Sequence, residues 1–188
     1  MKFLKTTMTA LTLAAATTLG ASQLSAQENP MVGGAEMSAD MTITENAANA
    51  PNLTTLVAAV EAAGLAETLM GEGPFTVFAP TNAAFEKLPD GTVENLLKPE
   101  NKDMLTHILT YHVVPAKATS EAAMGMIADD GGAHNVQTVS GDTLTLKMDG
   151  DDLVVIDESG NGAKVTTADV MQSNGVVHVI DTVLMPKM

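Results

Sequence analysis

Apolar residues recur at helical spacing in the first half of this chain and alternate with polar ones in the second half. Leu53, Leu56, Val57 and Val60 follow the i, i+3, i+4, i+7 rule and predict a helix. Pro51 suits its first turn, and Gly64 suits the position just past its end. A shorter helix is expected over Leu65 to Met70. Phe75 to Ala79 is an unbroken apolar run, which predicts a strand that Pro80 brings to a close. Thr81 or Asn82 can then cap a short helix through Phe85. After the turn Leu88-Pro89-Asp90-Gly91, Thr92 is placed to cap a short helix to Leu97. Pro99 opens a longer one from Glu100 to Leu109, with Met104, Leu105, Ile108 and Leu109 on one stripe. That helix is expected to run directly into a Tyr111 to Pro115 strand, and Ser120 to cap a last helix through Ile127.

Beyond Ile127 the period changes to two. Leu144, Leu146 and Met148 alternate with polar residues, the pattern of a strand with one buried face. Asp149-Gly150-Asp151-Asp152 reads as a hairpin turn into Leu153 to Ile156. Ser159-Gly160-Asn161-Gly162 turns the chain again into Ala163 to Thr167. Asn174-Gly175 opens a β-branched run, Val176 to Ile180, and Thr182 to Met185 closes the domain. Helices followed by a strand-rich half predict an α+β fold. No segment repeats another, so one copy of the module is expected, over residues 47–188.

Three segments carry a more specific signal. Gly73-Pro74-Phe75-Thr76-Val77-Phe78-Ala79-Pro80-Thr81-Asn82-Ala83-Ala84-Phe85 and Asn174-Gly175-Val176-Val177-His178-Val179-Ile180-Asp181 resemble the two signature boxes of the fasciclin (FAS1) family. Tyr111-His112, lying between them, resembles that family's shorter third signature. The resemblance covers Met41 to Pro186 and takes in Asp169 and the closing Leu184-Met185-Pro186. It implies a twisted, wedge-like antiparallel β-sandwich of about seven strands with several helices to one side. It also implies that the two boxes lie side by side, pairing Thr76–Ala79 with Val176–Ile180. Thr76, Phe78, Pro80, Thr81, Asn82, Phe85, Asn174, Gly175, His178 and Ile180 are then framework positions of the motifs. Tyr111, His112 and Asp181 are the candidate binding positions that the resemblance supplies. Read from the residues alone, Tyr111 and His112 sit in apolar sequence, which points to a pair satisfying buried hydrogen bonds near the sandwich edge.

Residues 1–26 have the form of an export signal. Lys2 and Lys5 form a positive start, Thr6 to Ala21 an apolar stretch, and Leu24-Ser25-Ala26 a cleavage site. Residues 27–46 are small, polar and acidic, contain Pro30 and Gly33-Gly34, and are expected to be a flexible lead-in. The expected location is the periplasm, the cell surface or the medium, with no membrane insertion once the signal is removed.

Charge and composition narrow the partners. The net charge is −14, and there is no arginine, so nucleic acid and anionic membrane surfaces lack the basic footprint they need. With no cysteine there are no disulfides, no thiol catalysis and no lipid-modified cysteine anchor. His107, His112, His134 and His178 lack metal-site spacing, and the acidic loops Asp129–Gly132 and Asp149–Asp152 lack a full calcium-loop pattern. The loose Met31, Met37 and Met41 are the one soft-metal possibility, while Met124, Met126, Met148, Met171 and Met185 read as core filler. No nucleophile elbow, phosphate loop or dinucleotide fingerprint is present. No enzyme activity, cofactor or metal is therefore expected. The expected function is adhesion or interaction with a protein or polysaccharide, as a monomer or weak homo-oligomer. A periplasmic small-ligand or metal-binding protein is the alternative.

Overall fold

A strand can bury both faces only if structure covers it on both sides, and two six-residue strands of this chain are buried at every residue or nearly so. They are β3 (Phe75–Pro80) and β9 (Gly175–Ile180) in the computed structural model, which describes residues 29–187. Val77, Ala79, Val177 and Val179 point into one apolar cluster, whereas Phe78 and Ile180 point into a second.

The first cluster is closed by helices α1 (Ile43–Asn49), α2 (Thr54–Ala63), α3 (Ala66–Leu69), α4 (Asn82–Glu86), α5 (Thr92–Leu96) and α6 (Lys102–Tyr111). The second lies beneath α7 (Ser120–Asp129) and strands β6 (Thr143–Asp149), β7 (Asp152–Ile156) and β8 (Gly162–Gln172). With β4 (Val113–Val114) and β5 (Ala133–Gln137) these form one seven-stranded sheet, in the order β4-β3-β9-β8-β7-β6-β5. The Val139 amide donates to the Val113 carbonyl at 2.8 Å, so the chain beyond β5 returns to β4 and the sheet curls nearly into a barrel.

The boxes are neighbours, as the resemblance implies, but the sheet is mixed and not wholly antiparallel. β3 and β9 run parallel in register from Phe75–Gly175 to Pro80–Ile180. A parallel pair needs a long crossover, and here α4 to α7 and β4 to β8 all lie between the two strands.

Several local expectations change. Residues 31–46 are not a simple lead-in: β1 (Met31–Val32) and β2 (Ala35–Glu36) form a hairpin, and Val32, Met37 and Ile43 are buried in the first cluster. Thr42 and Glu45 cap α1 reciprocally. Tyr111 ends a helix and does not begin a strand, because the apolar stripe of α6 carries through it. Met104 is exposed and so lies off the buried stripe of that helix, and Met124 on α7 is exposed and so is not core filler. Gly91 stands at the N-cap of α5 in place of Thr92, and Thr119 caps α7 in place of Ser120. β5 was not expected, since only its alternate residues are even half-buried and its sole strong apolar residue is Val136. β8 runs five residues past Thr167 through a bulge at which Asp169 adopts φ 55°.

Candidate functional site

The two boxes and the tyrosine-histidine pair converge on the β3–β9 seam. Phe78 stands opposite His178 in register, and their rings stack at 5.7 Å. Most of the motif side chains spend their polar atoms on backbone groups that no regular element satisfies. The Thr76 hydroxyl donates to the Ala116 carbonyl at 2.5 Å and accepts from the Ala118 amide at 2.8 Å. Thr81 caps α4 by accepting from the Ala84 amide, and Pro80 and Phe85 are buried beside it. Asn82 accepts from the Thr55 amide at 3.0 Å and donates to the Pro51 carbonyl and the Thr54 hydroxyl, tying α4 to the start of α2. Asn174 accepts from the Ile43 amide and donates to the carbonyls of Leu69 and Gly71, so one side chain fastens α1 and the end of α3 to the second box.

Both box-associated histidines are buried and bound at each nitrogen. In His112, Nδ1–H donates to the Ile108 carbonyl at 2.8 Å, and Nε2 accepts from the Leu184 amide at 3.0 Å. In His178, Nε2–H donates to the Ala118 carbonyl at 2.8 Å, and Nδ1 accepts from the Asp169 amide at 3.3 Å. A ring with one donor and one acceptor so committed is neutral, and the two histidines hold opposite tautomers. Burial pulls the pKa of His112 down to about 4, and burial lowers that of His178 as well.

Tyr111 is fully buried, and its hydroxyl donates to the Thr143 carbonyl at 3.1 Å and accepts from the Glu158 amide at 3.0 Å. Burial pushes the phenol up to about 12. Tyr111→Phe is expected to cost about 1 kcal/mol in a urea unfolding titration, because both backbone groups lose their partner.

These placements separate the three candidate binding residues. Tyr111 and His112 have 0% and 2% of their surface exposed, so neither can meet a macromolecular partner in the folded state. Their place in the apolar run of α6 and β4 is the physical reason. Asp181 lies at the surface with its side chain 40% exposed, beside Lys87 at 3.2 Å. Burial opposes its ionisation, but the Lys164 amide, the Thr182 hydroxyl and the Lys87 ammonium outweigh burial and hold the carboxyl below its usual range. An ion pair this exposed contributes at most about 1 kcal/mol to stability.

A further carboxylate, outside the signature motifs, braces this region. Asp157 is buried and accepts from the amides of Ser159, Asn161 and Met185 and from the Asn161 side chain, closing the β7–β8 turn beside Tyr111. Its signal was present as an aspartate opening the Ser159-Gly160-Asn161-Gly162 turn. Asp169 ties the bulge of β8 to α7 through the Ser120 amide at 2.7 Å and the Ser120 hydroxyl.

The remaining histidines pair with aspartates, His107 with Asp142, distant in sequence, at 2.8 Å and His134 with nearby Asp130 at 2.6 Å. Among the described residues, no three of the histidines, aspartates and glutamates gather as a metal site would require. Met37 is buried while Met31 and Met41 are exposed.

Comparison with known proteins places this arrangement. The fasciclin domain model matches residues 51–186. Protein sll1483 of Synechocystis is 46% identical over 183 residues, covering 97% of this chain and 94% of that protein. Cell surface glycolipoprotein MPB83 of Mycobacterium bovis is 38% identical over 172 residues, covering 89% of this chain and 70% of that one. A FAS1 domain pair from the insect cell adhesion molecule fasciclin I superposes with a TM-score of 0.69 at 18% identity, over 77% of this chain and 51% of the pair. At that identity the likeness concerns the fold, and this chain spans about half of the two-domain structure.

Proposed function

The chain belongs to the fasciclin-domain family, and from that premise we propose that it is an exported, non-catalytic interaction module that binds a protein or polysaccharide at the cell envelope or in the surrounding matrix. The observation that carries this reading is that the family match spans nearly all of the folded chain while relatives include a cell surface glycolipoprotein. The polar atoms of the signature motifs are turned inward to hold backbone, which fits a scaffold whose outer surface does the binding. No helix among the described residues is long and apolar enough to cross a membrane. The export signal at residues 1–26 lies outside the described residues and enters here as part of the proposal.

Asp181 is the exposed charged residue of the motifs, and with Lys87 and Thr182 it offers a partner a polar contact. Purified protein coupled to beads is expected to retain one envelope protein or one extracellular polymer from the producing cells. Asp181→Ala is expected to weaken that capture severalfold, with a modest fall in melting temperature because the Lys164 amide loses its acceptor. Failure of the folded protein to retain any cell, polymer or envelope component would remove this reading.

A further inference from the structure

Between α1 and the α2–α3 pair the packing leaves a cleft of about 90 Å³ over the inner face of β3. Its walls are Ile43 and Ala47 of α1, Leu56 and Val60 of α2 and Leu69 of α3, with Val77 on the floor. Alanine is what leaves the space: Ala47, Ala48 and Ala66 stand where larger side chains would close helix onto helix.

Three polar residues touch the cleft, and the two that are not exposed, His112 and Thr44, are already hydrogen-bonded. Both nitrogens of His112 are committed to Ile108 and Leu184. The Thr44 hydroxyl pairs with that of Thr42. Glu61 is exposed and stands at the mouth. By volume roughly three waters would fit, yet water needs two or more polar partners to be held, and apolar cavities of this kind accept apolar guests.

Charge decides the class of guest. A molecule ending in a carboxylate or phosphate would bring its anion beside Glu61, on a chain of net charge −14. We propose that this cleft is a binding site for a small uncharged apolar molecule, a hydrocarbon chain or ring whose far end leaves through the mouth beside Glu61. The site is separate from the Asp181 surface, so its occupancy and macromolecular capture are independent properties of the protein.

The test uses the purified protein and N-phenyl-1-naphthylamine, an uncharged fluorophore that brightens in apolar surroundings. Saturable binding at one molecule per chain is expected, with displacement by decanol and not by decanoate. Ala47→Phe, placed on a half-buried wall, is expected to weaken binding at least tenfold while the protein melts at or above its original temperature. Should that variant fail to fold, Val57→Phe on the opposite wall gives the same reading. Unsaturable fluorescence, or undiminished binding by a folded wall variant, would overturn the site. Equal displacement by decanoate would overturn the requirement for an uncharged guest. Capture of envelope components by the Ala47→Phe protein is expected to be unchanged.

Discussion

As the pH falls from 6.5 to about 4, burial of neutral His112 alone is expected to remove about 3 kcal/mol of folding stability. The unfolded chain takes up a proton on this imidazole near pH 6.5, whereas the folded chain resists it until about 4. Over that window the unfolded state binds more protons, so stability declines as acid is added and is fully present above pH 6.5. The reason for the resistance is structural. Protonation would turn Nε2 from an acceptor into a donor facing the Leu184 amide, in a site with 2% exposure. His178 acts in the same direction, since its Nδ1 accepts from the Asp169 amide. Urea titrations at pH 7, 5.5 and 4.5 measure the decline, and NMR titration of the two rings assigns it. A stability that stays level across this range would mean that the histidines are not held neutral.

Replacing Gly175 by alanine is expected to cost about 3 kcal/mol, as overpacking against backbone does when the neighbour cannot move aside. A Cβ at this position would drive into the carbonyl of Phe75, its register partner on β3. Gly73 meets the same limit from the other strand, against the Asn174 carbonyl. The two boxes therefore approach at their turn ends as closely as backbones without side chains permit. Gly125→Ala is the contrasting substitution. That glycine lies on the exposed face of α7 with open space around it, and alanine there is expected to stabilise by about 0.5–1 kcal/mol. Thermal or urea unfolding of both variants decides the matter, and equal effects would show that the seam has slack.

Residues that act on their immediate neighbours were legible in the sequence. Gly64 stops α2 in the left-handed conformation at φ 73°, Thr81 caps α4, and Asp149–Asp152 turns β6 into β7, each where local pattern placed it. Boundaries slipped where two local rules competed. Thr119 and Ser120 both suit a cap, and the choice fell to Thr119 because Asp169, far along the chain, holds Ser120. β5 escaped notice because a half-exposed edge strand needs little apolar alternation and takes its register from its partner. The hairpin of residues 31–36 escaped for a related reason. Val32 and Met37 are isolated apolar residues in polar sequence, and only the core they enter gives them a role.

While the pairing of the two boxes came from the family resemblance, the sequence by itself determined the succession of helices then strands, the three signature motifs and the exclusion of thiol chemistry. These follow from side-chain type, spacing and short-range backbone preference, all of which are present in one dimension. Tertiary structure alone decided that β3 and β9 run parallel, that Tyr111 and His112 face inward while Asp181 faces outward, and that a cleft opens beside Ala47. Direction, burial and empty space arise when segments far apart in the chain meet, as Leu184 meets His112 and Asn174 meets Ile43. A polar residue in apolar sequence has the same spelling whether it binds a partner or satisfies a backbone amide, and only its neighbours in space tell the two apart.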